Sequence, residues 1–135
     1  METSRLRLLF MRLGSMGDLI LTTPSVRAAR NALPDAHIAI VTSAALAPIY
    51  ESNPHVNEIV AVDRRRLDRS PSEIMRIVRT LRQGRYHVSV DLHGKVKTAL
   101  LTRAARVPRR IGRSRFDTDR VDVRKGEHAS GAALA

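Results

Sequence analysis

Two short segments of this 135-residue chain combine residue types that can do chemistry. The first is Gly14-Ser15-Met16-Gly17-Asp18. It holds two glycines that let a ligand approach the main chain closely, a hydroxyl, and a carboxylate where a helix is expected to open. Asp18 could act there as a general base toward a bound hydroxyl, or could cap the helix and face its dipole. The glycine spacing is not G-x-G-x-x-G, so no dinucleotide cofactor is read from it. The second segment is Asp91-Leu92-His93-Gly94-Lys95-Val96-Lys97-Thr98, in which Lys97, Thr98 and the bare N–H groups of a helix start could hold a phosphate or carboxylate. It is not a Walker loop: Ser89 occupies the first glycine position and Val96 replaces the Ser/Thr after the lysine. His93 has no neighbouring ligands at metal spacing, which argues against a metal site. In the plainer reading Asp91 hydrogen-bonds the turn and His93 only packs.

Positioning these segments requires alternating strands and helices. Residues 5 to 12 form a short apolar run that predicts a buried strand, ended by Leu13-Gly14. Leu19, Ile20, Thr23, Val26, Ala29 and Leu33 approximate one helical face. Pro24 should kink that helix or mark a second start capped by Thr23, and Leu33-Pro34-Asp35 should stop it. Strands are expected at 37–42, 58–62, 87–91 and 109–112, with a short helix over 44–50 and another over 96–105. Ser70-Pro71-Ser72-Glu73 reads as a capping box opening a further helix. Ile74, Ile77, Val78 and Leu81 would be its buried face, Arg76, Arg79 and Arg82 its outer one, and Gly84 its end. This βαβαβαβαβ order implies an α/β fold, a Rossmann-like parallel sheet with helices on both faces. The expected division is a domain over 1–112 and a weakly ordered basic tail over 113–135.

Composition narrows the function classes. The length suits one domain, and four aromatics (Phe10, Tyr50, Tyr86, Phe116) are too few for a base-stacking platform. With no cysteine there is no disulfide framework, thiolate zinc site or cysteine nucleophile, which fits a reducing compartment. No stretch approaches the roughly 20 apolar residues of a membrane span. The N-terminus fits a signal peptide poorly, so a cytoplasmic location is expected. Lys and Arg number 24 against 13 acids, a formal charge of +11, and 21 of the 24 are Arg. Residues 1–63 hold only five of these arginines against six acids, so the excess belongs to the second half. Such a field draws phosphorylated sugars, nucleic acid or an acidic membrane. The run Arg64-Arg65-Arg66 with Arg69, Arg76, Arg79, Arg82 and Arg85 is a solvated face or a dock for the membrane. The absence of interleaved aromatics, a zinc-finger pattern or an RNP signature argues against nucleic acid.

Five separated segments together resemble the N-terminal part of the heptosyltransferases of glycosyltransferase family 9. They are Arg12-Leu13-Gly14-Ser15-Met16-Gly17-Asp18 with Leu19 to Pro24; Leu33-Pro34-Asp35-Ala36; Asn53-Pro54-His55-Val56; Tyr86 to Gly94; and Arg109-Arg110-Ile111-Gly112. The resemblance implies the incomplete N-terminal half of a GT-B fold. In that fold two Rossmann-like domains face a cleft, the first holding a lipopolysaccharide inner-core acceptor and the second ADP-heptose. It makes Asp18 the general base of a metal-independent, inverting transfer that uses no cofactor, and it makes Gly14, Ser15, Met16 and Gly17 its substrate-side turn. It puts the loop after the fourth strand on the acceptor side, with Lys97 and Thr98 holding the acid groups of the Kdo sugars and His93 and Gly94 in the same substrate-binding turn. The nucleotide-sugar donor would bind only if a C-terminal domain is supplied, and this chain by itself is expected to transfer no sugar. The acceptor's lipid implies work at the inner face of the cytoplasmic membrane, with peripheral contact through the arginine-rich surface.

Overall fold

Strand β1 (Arg7–Met11) points Leu8 and Phe10 to one face of a sheet and Leu9 and Met11 to the other, and all four are buried. A strand apolar on both faces needs a layer of helices over each. The computed structural model of the protein describes residues 5–14, 16–93 and 95–120, with the main chain only at Met16, Asp18, Leu19 and Leu21. Its elements run β1, α1 (Met16–Ala32), β2 (His37–Ser43), α2 (Ala47–Glu51), β3 (Glu58–Val62), α3 (Arg64–Arg69), α4 (Pro71–Gly84), β4 (Val88–Asp91), α5 (Val96–Ala104), β5 (Arg109–Gly112) and β6 (Asp119–Arg120). The six strands are parallel, in the order β3-β2-β1-β4-β5-β6. Val26 of α1 and Tyr50 of α2 pack with Leu8, Phe10, Ile38 and Ile40 on one face. Leu67 of α3, Ile77 and Leu81 of α4, and Leu101 of α5 pack with Leu9, Met11, Val41 and Val62 on the other. The expected parallel α/β sheet with two helical layers is the observed one.

Several local expectations are corrected. Helix α1 runs through Pro24 as one element, without a second start at Thr23. Its buried side passes through Thr22 and Val26, while Ile20 is 69% exposed, because α1 touches the sheet along a narrow stripe. Residues 64–69, read as loop or solvated run, form α3: Asp63 caps it by accepting from the Arg65 and Arg66 amides at 3.1 and 3.2 Å. The capping box does not form. The Ser70 hydroxyl turns to that of Ser72 at 2.7 Å, and the Glu73 carboxylate, buried, takes two bonds from Arg76 at 2.8 and 2.9 Å. Those bonds and the Arg76 charge hold the Glu73 carboxyl below its ordinary value despite burial. Gly84 is the last residue of α4, as expected, but the left-handed turn that follows is not made by a glycine. Arg85 makes it, at φ 49°, and Gly84 is needed because a β-carbon there would collide with the Tyr86 ring. Past Gly112 the chain turns and adds β6 to the sheet edge, and residues 121–135 lie outside the described residues.

At the amino end of the sheet, polar groups from β1, β2 and β3 and from the residues leading into β4 close on one another. The Glu58 carboxylate accepts from His37 Nε2 at 2.9 Å and from the Tyr86 hydroxyl at 2.8 Å, with the Arg7 guanidinium at 3.9 Å. Arg7 also donates from Nε to the Gly84 carbonyl at 2.6 Å, and its amide to His87 Nδ1 at 2.9 Å. Burial raises the Tyr86 pKa above its ordinary value, and the bond to Glu58 raises it further.

Candidate functional site

In the sheet order, β2 and β3 extend to one side of β1 while β4, β5 and β6 extend to the other, so the chain reverses direction between β1 and β4. At such a switch point the loops leaving adjacent strands diverge, and a crevice opens outside their carboxyl ends. The loops leaving these two strands are the two segments singled out from the sequence. They are pinned together by the main chain: the Leu92 and His93 amides both donate to the Met11 carbonyl, at 3.0 and 3.1 Å. The Arg12 guanidinium donates to the Leu92 carbonyl, crossing from one loop to the other, while its amide donates to Val41 O at 3.0 Å.

Asp91, the last residue of β4, organises the second loop. Its Oδ1 accepts the His93 amide at 3.0 Å, and its Oδ2 lies 2.6 Å from the Thr98 hydroxyl in the first turn of α5. The Lys95 carbonyl is also within 2.8 Å of that hydroxyl. The one hydroxyl proton favours the carboxylate, the stronger acceptor. Thr98 is 1% exposed and Asp91 5%, so this bond lies under the surface and fixes where α5 starts. The turn role weighed for Asp91 on sequence grounds is therefore the arrangement found.

A cleft of about 220 Å³ lies over this junction, lined by Leu13 of the first loop, His93, Lys95, Lys97 and Thr98 of the second, and Arg64, Leu67 and Asp68 of α3. The third wall was not foreseen, because Arg64–Arg69 carries a single buried apolar residue, Leu67, and so shows no periodicity. The aspartate before the arginine run was the available sign. Lys97 meets Asp68 in an exposed ion pair, and the hydrogen bond and charge of Lys97 keep the Asp68 carboxyl below its ordinary value. An anion entering the cleft would compete with Asp68 for that ammonium, with Arg64 and Lys95 adding positive charge.

The remaining candidates sort as follows. Gly14 is buried directly after Leu13, and Met16, Gly17 and Asp18 form the first turn of α1, at the carboxyl end of β1. Ser15 and Gly94 lie outside the described residues. Lys97, His93 and Thr98 are brought to one cleft, but Thr98 presents its hydroxyl to Asp91. A larger hollow of about 500 Å³ is lined from α1, α2 and the turn before β3, including Arg27, Tyr50 and His55, and contains none of these residues.

The architecture defines a doubly wound α/β unit with its crevice at the β1–β4 switch point. No family model matches the chain. Among curated proteins it is similar to lipopolysaccharide heptosyltransferase 3 of Escherichia coli, 27% identical over 89 residues, which are 64% of this chain and 26% of that protein. Among solved structures, a glycosyl transferase family 9 protein of Veillonella parvula matches with a TM-score of 0.84 and 30% identity over 99% of this chain and 41% of its own. The E. coli heptosyltransferase WaaC, solved with ADP-2-deoxy-2-fluoro heptose, matches with a TM-score of 0.83 and 25% identity over 96% of this chain and 46% of its own. E. coli ADP-heptose lps heptosyltransferase II, at 21% identity and a TM-score of 0.81, shares the fold. The resemblance to family 9 heptosyltransferases read from five sequence segments is thus matched in three dimensions. The chain is heptosyltransferase-like along nearly its whole length and spans less than half the length of each of these relatives.

Proposed function

We propose that this chain is the acceptor-side portion of a heptosyltransferase-like glycosyltransferase, working at the inner face of the cytoplasmic membrane. The observation that carries the reading is the meeting of the two sequence-selected loops at the sheet's switch point, in a cleft rimmed by Arg64, Lys95 and Lys97. The acceptor is an acidic lipopolysaccharide core sugar of the Kdo kind, its carboxylate held by Lys97 and its neighbours. Asp18, in the first turn of α1, takes the proton of the acceptor hydroxyl as that oxygen bonds to the anomeric carbon of ADP-heptose. The bond from that carbon to the phosphate oxygen breaks, ADP leaves with the electron pair, and the configuration inverts. The donor is held by a second domain, so the reaction needs both halves. The acceptor-side domain takes in β6 (Asp119–Arg120) at the sheet edge, past the boundary expected at 112.

The test is a titration of the purified chain with a Kdo disaccharide, followed by amide chemical shifts. Saturable shifts confined to residues 13–19 and 92–98 are expected, and no turnover of ADP-heptose. Shifts absent or confined to the Arg27–His55 hollow would overturn the acceptor site, and steady transfer by the chain alone would overturn the division of labour.

A further inference from the structure

The two helical layers of the sheet differ in charge. Helices α3, α4 and α5 together carry nine basic residues and two acidic ones, whereas α1 and α2 carry two of each. Both acids of the basic layer are already engaged within it, Glu73 by Arg76 and Asp68 by Lys97. Arg65, Arg79 and Arg103 project from three neighbouring helices as exposed cations, with no carboxylate partner recorded among the described residues. Helix α4 shows why the layer is two-sided: Ile77, Val78 and Leu81 face the sheet while Met75, Arg79 and Arg82 face outward. Large apolar side chains stand exposed among these charges, Met75 at 55%, Val96 at 54% and Leu100 at 43%.

We infer that the outer surface of α3, α4 and α5 is a docking face for a bilayer of anionic lipids. Positive charge without internal compensation, carried by one helical layer, attracts a surface of phosphate headgroups, and isolated apolar side chains between the charges can enter the headgroup region. A strand of nucleic acid would want a groove with stacking aromatics, and this layer has none among its exposed residues. Among the described residues no helix is long and apolar enough to cross a membrane, so attachment through this part of the chain is peripheral. The docked orientation also serves the cleft, because Arg64 and Lys97 belong both to its lining and to the basic layer. The inference deepens the proposed function by naming the surface. It stands apart from sugar transfer in the test, which contains neither donor nor lipopolysaccharide.

The experiment is sedimentation of the full chain with vesicles of phosphatidylglycerol and phosphatidylcholine, compared with phosphatidylcholine alone. Binding to the anionic vesicles only is expected. Arg79→Glu and Arg27→Glu change net charge equally but lie on opposite layers. At about 1 kcal/mol per basic residue, Arg79→Glu should weaken vesicle binding at least about fivefold, and Arg65→Glu should compound it, while Arg27→Glu leaves it near the parent. Equal losses on both layers would overturn the inference. The chain has no tryptophan, so Met75→Trp supplies a single reporter whose emission should shift to the blue on anionic vesicles. Bound protein with unshifted emission would also overturn it. So would vesicles left unbound while a random oligonucleotide is held with the same dependence on Arg79.

Discussion

The two ends of one sheet hold polar groups in opposite ways. At the amino end, Glu58 takes hydrogen bonds from His37 and Tyr86, with Arg7 beside it, and the cluster closes on itself between strands. At the carboxyl end, Asp91 spends its two oxygens on the His93 amide and the Thr98 hydroxyl, and Lys95, Lys97 and Arg64 stand around an opening. One arrangement satisfies charges to hold strands in register. The other uses a buried carboxylate as a frame and leaves cations at a rim. A parallel sheet favours this division, because helix N-termini and diverging loops gather at the carboxyl ends while the amino ends meet helix C-termini.

The comparison can be broken most severely at Asp18. In a chain joined to the donor-binding half of a relative, Asp18→Asn should lower kcat by about 10²- to 10⁴-fold with unchanged far-UV circular dichroism. Near-normal turnover would reduce Asp18 to a helix cap, making the two ends alike. Thr98→Val removes the buried donor to Asp91 and should cost about 1–3 kcal/mol in urea unfolding, with the largest amide shifts at residues 92–98. An unchanged midpoint would mean that the frame is not needed.

At the amino end, Glu58→Gln should cost about 1 kcal/mol, moderated because the carboxylate is partly in solvent, and should leave Kdo binding intact. Its pH dependence sharpens the contrast. Burial alone would raise the Glu58 carboxyl, but the hydrogen bonds from His37 and Tyr86 and the charges of His37 and Arg7 outweigh it and leave it below 4.5. A carboxyl lowered in the fold contributes stability above its unfolded value and loses it as pH falls through the folded one. The difference in Tm between parent and Glu58→Gln should therefore hold at pH 5–6 and close as the pH drops below about 4.5, as read by calorimetry. The smallest effect is expected at Lys97. Its exposed bond to Asp68 makes Lys97→Ala nearly neutral for stability, while Kdo binding by titration should weaken about three- to fivefold.

Much of this was legible in the chain. Strand β3 (58–62) lies where its apolar run places it. Strand β5 (Arg109–Gly112) lies where the alternation of elements calls for a strand, although two of its four residues are arginine and only Gly112 is buried. Both loops that meet at the switch point were singled out from glycines, charges and a following helix start. Helix α3 was hidden because one apolar residue in six makes no pattern, and its helicity rests on the Asp63 cap and on Leu67 reaching the core. The Ser70–Glu73 box was misread because the half-exposed Arg76 competes for the buried Glu73 carboxylate, and only packing decides which partner reaches it.

By itself the sequence determined the alternation of strands and helices, the two glycine-bearing loops that follow strands and open helices, and the concentration of arginine beyond residue 63, because each depends on neighbours along the chain. Tertiary structure alone decided that β4 lies beside β1, so that segments some 80 positions apart share one crevice. It also put α3, α4 and α5 on one side, making scattered arginines a single charged layer. Strand order and facing are set by the burial of both sheet surfaces at once, a balance over the whole core that no local window contains.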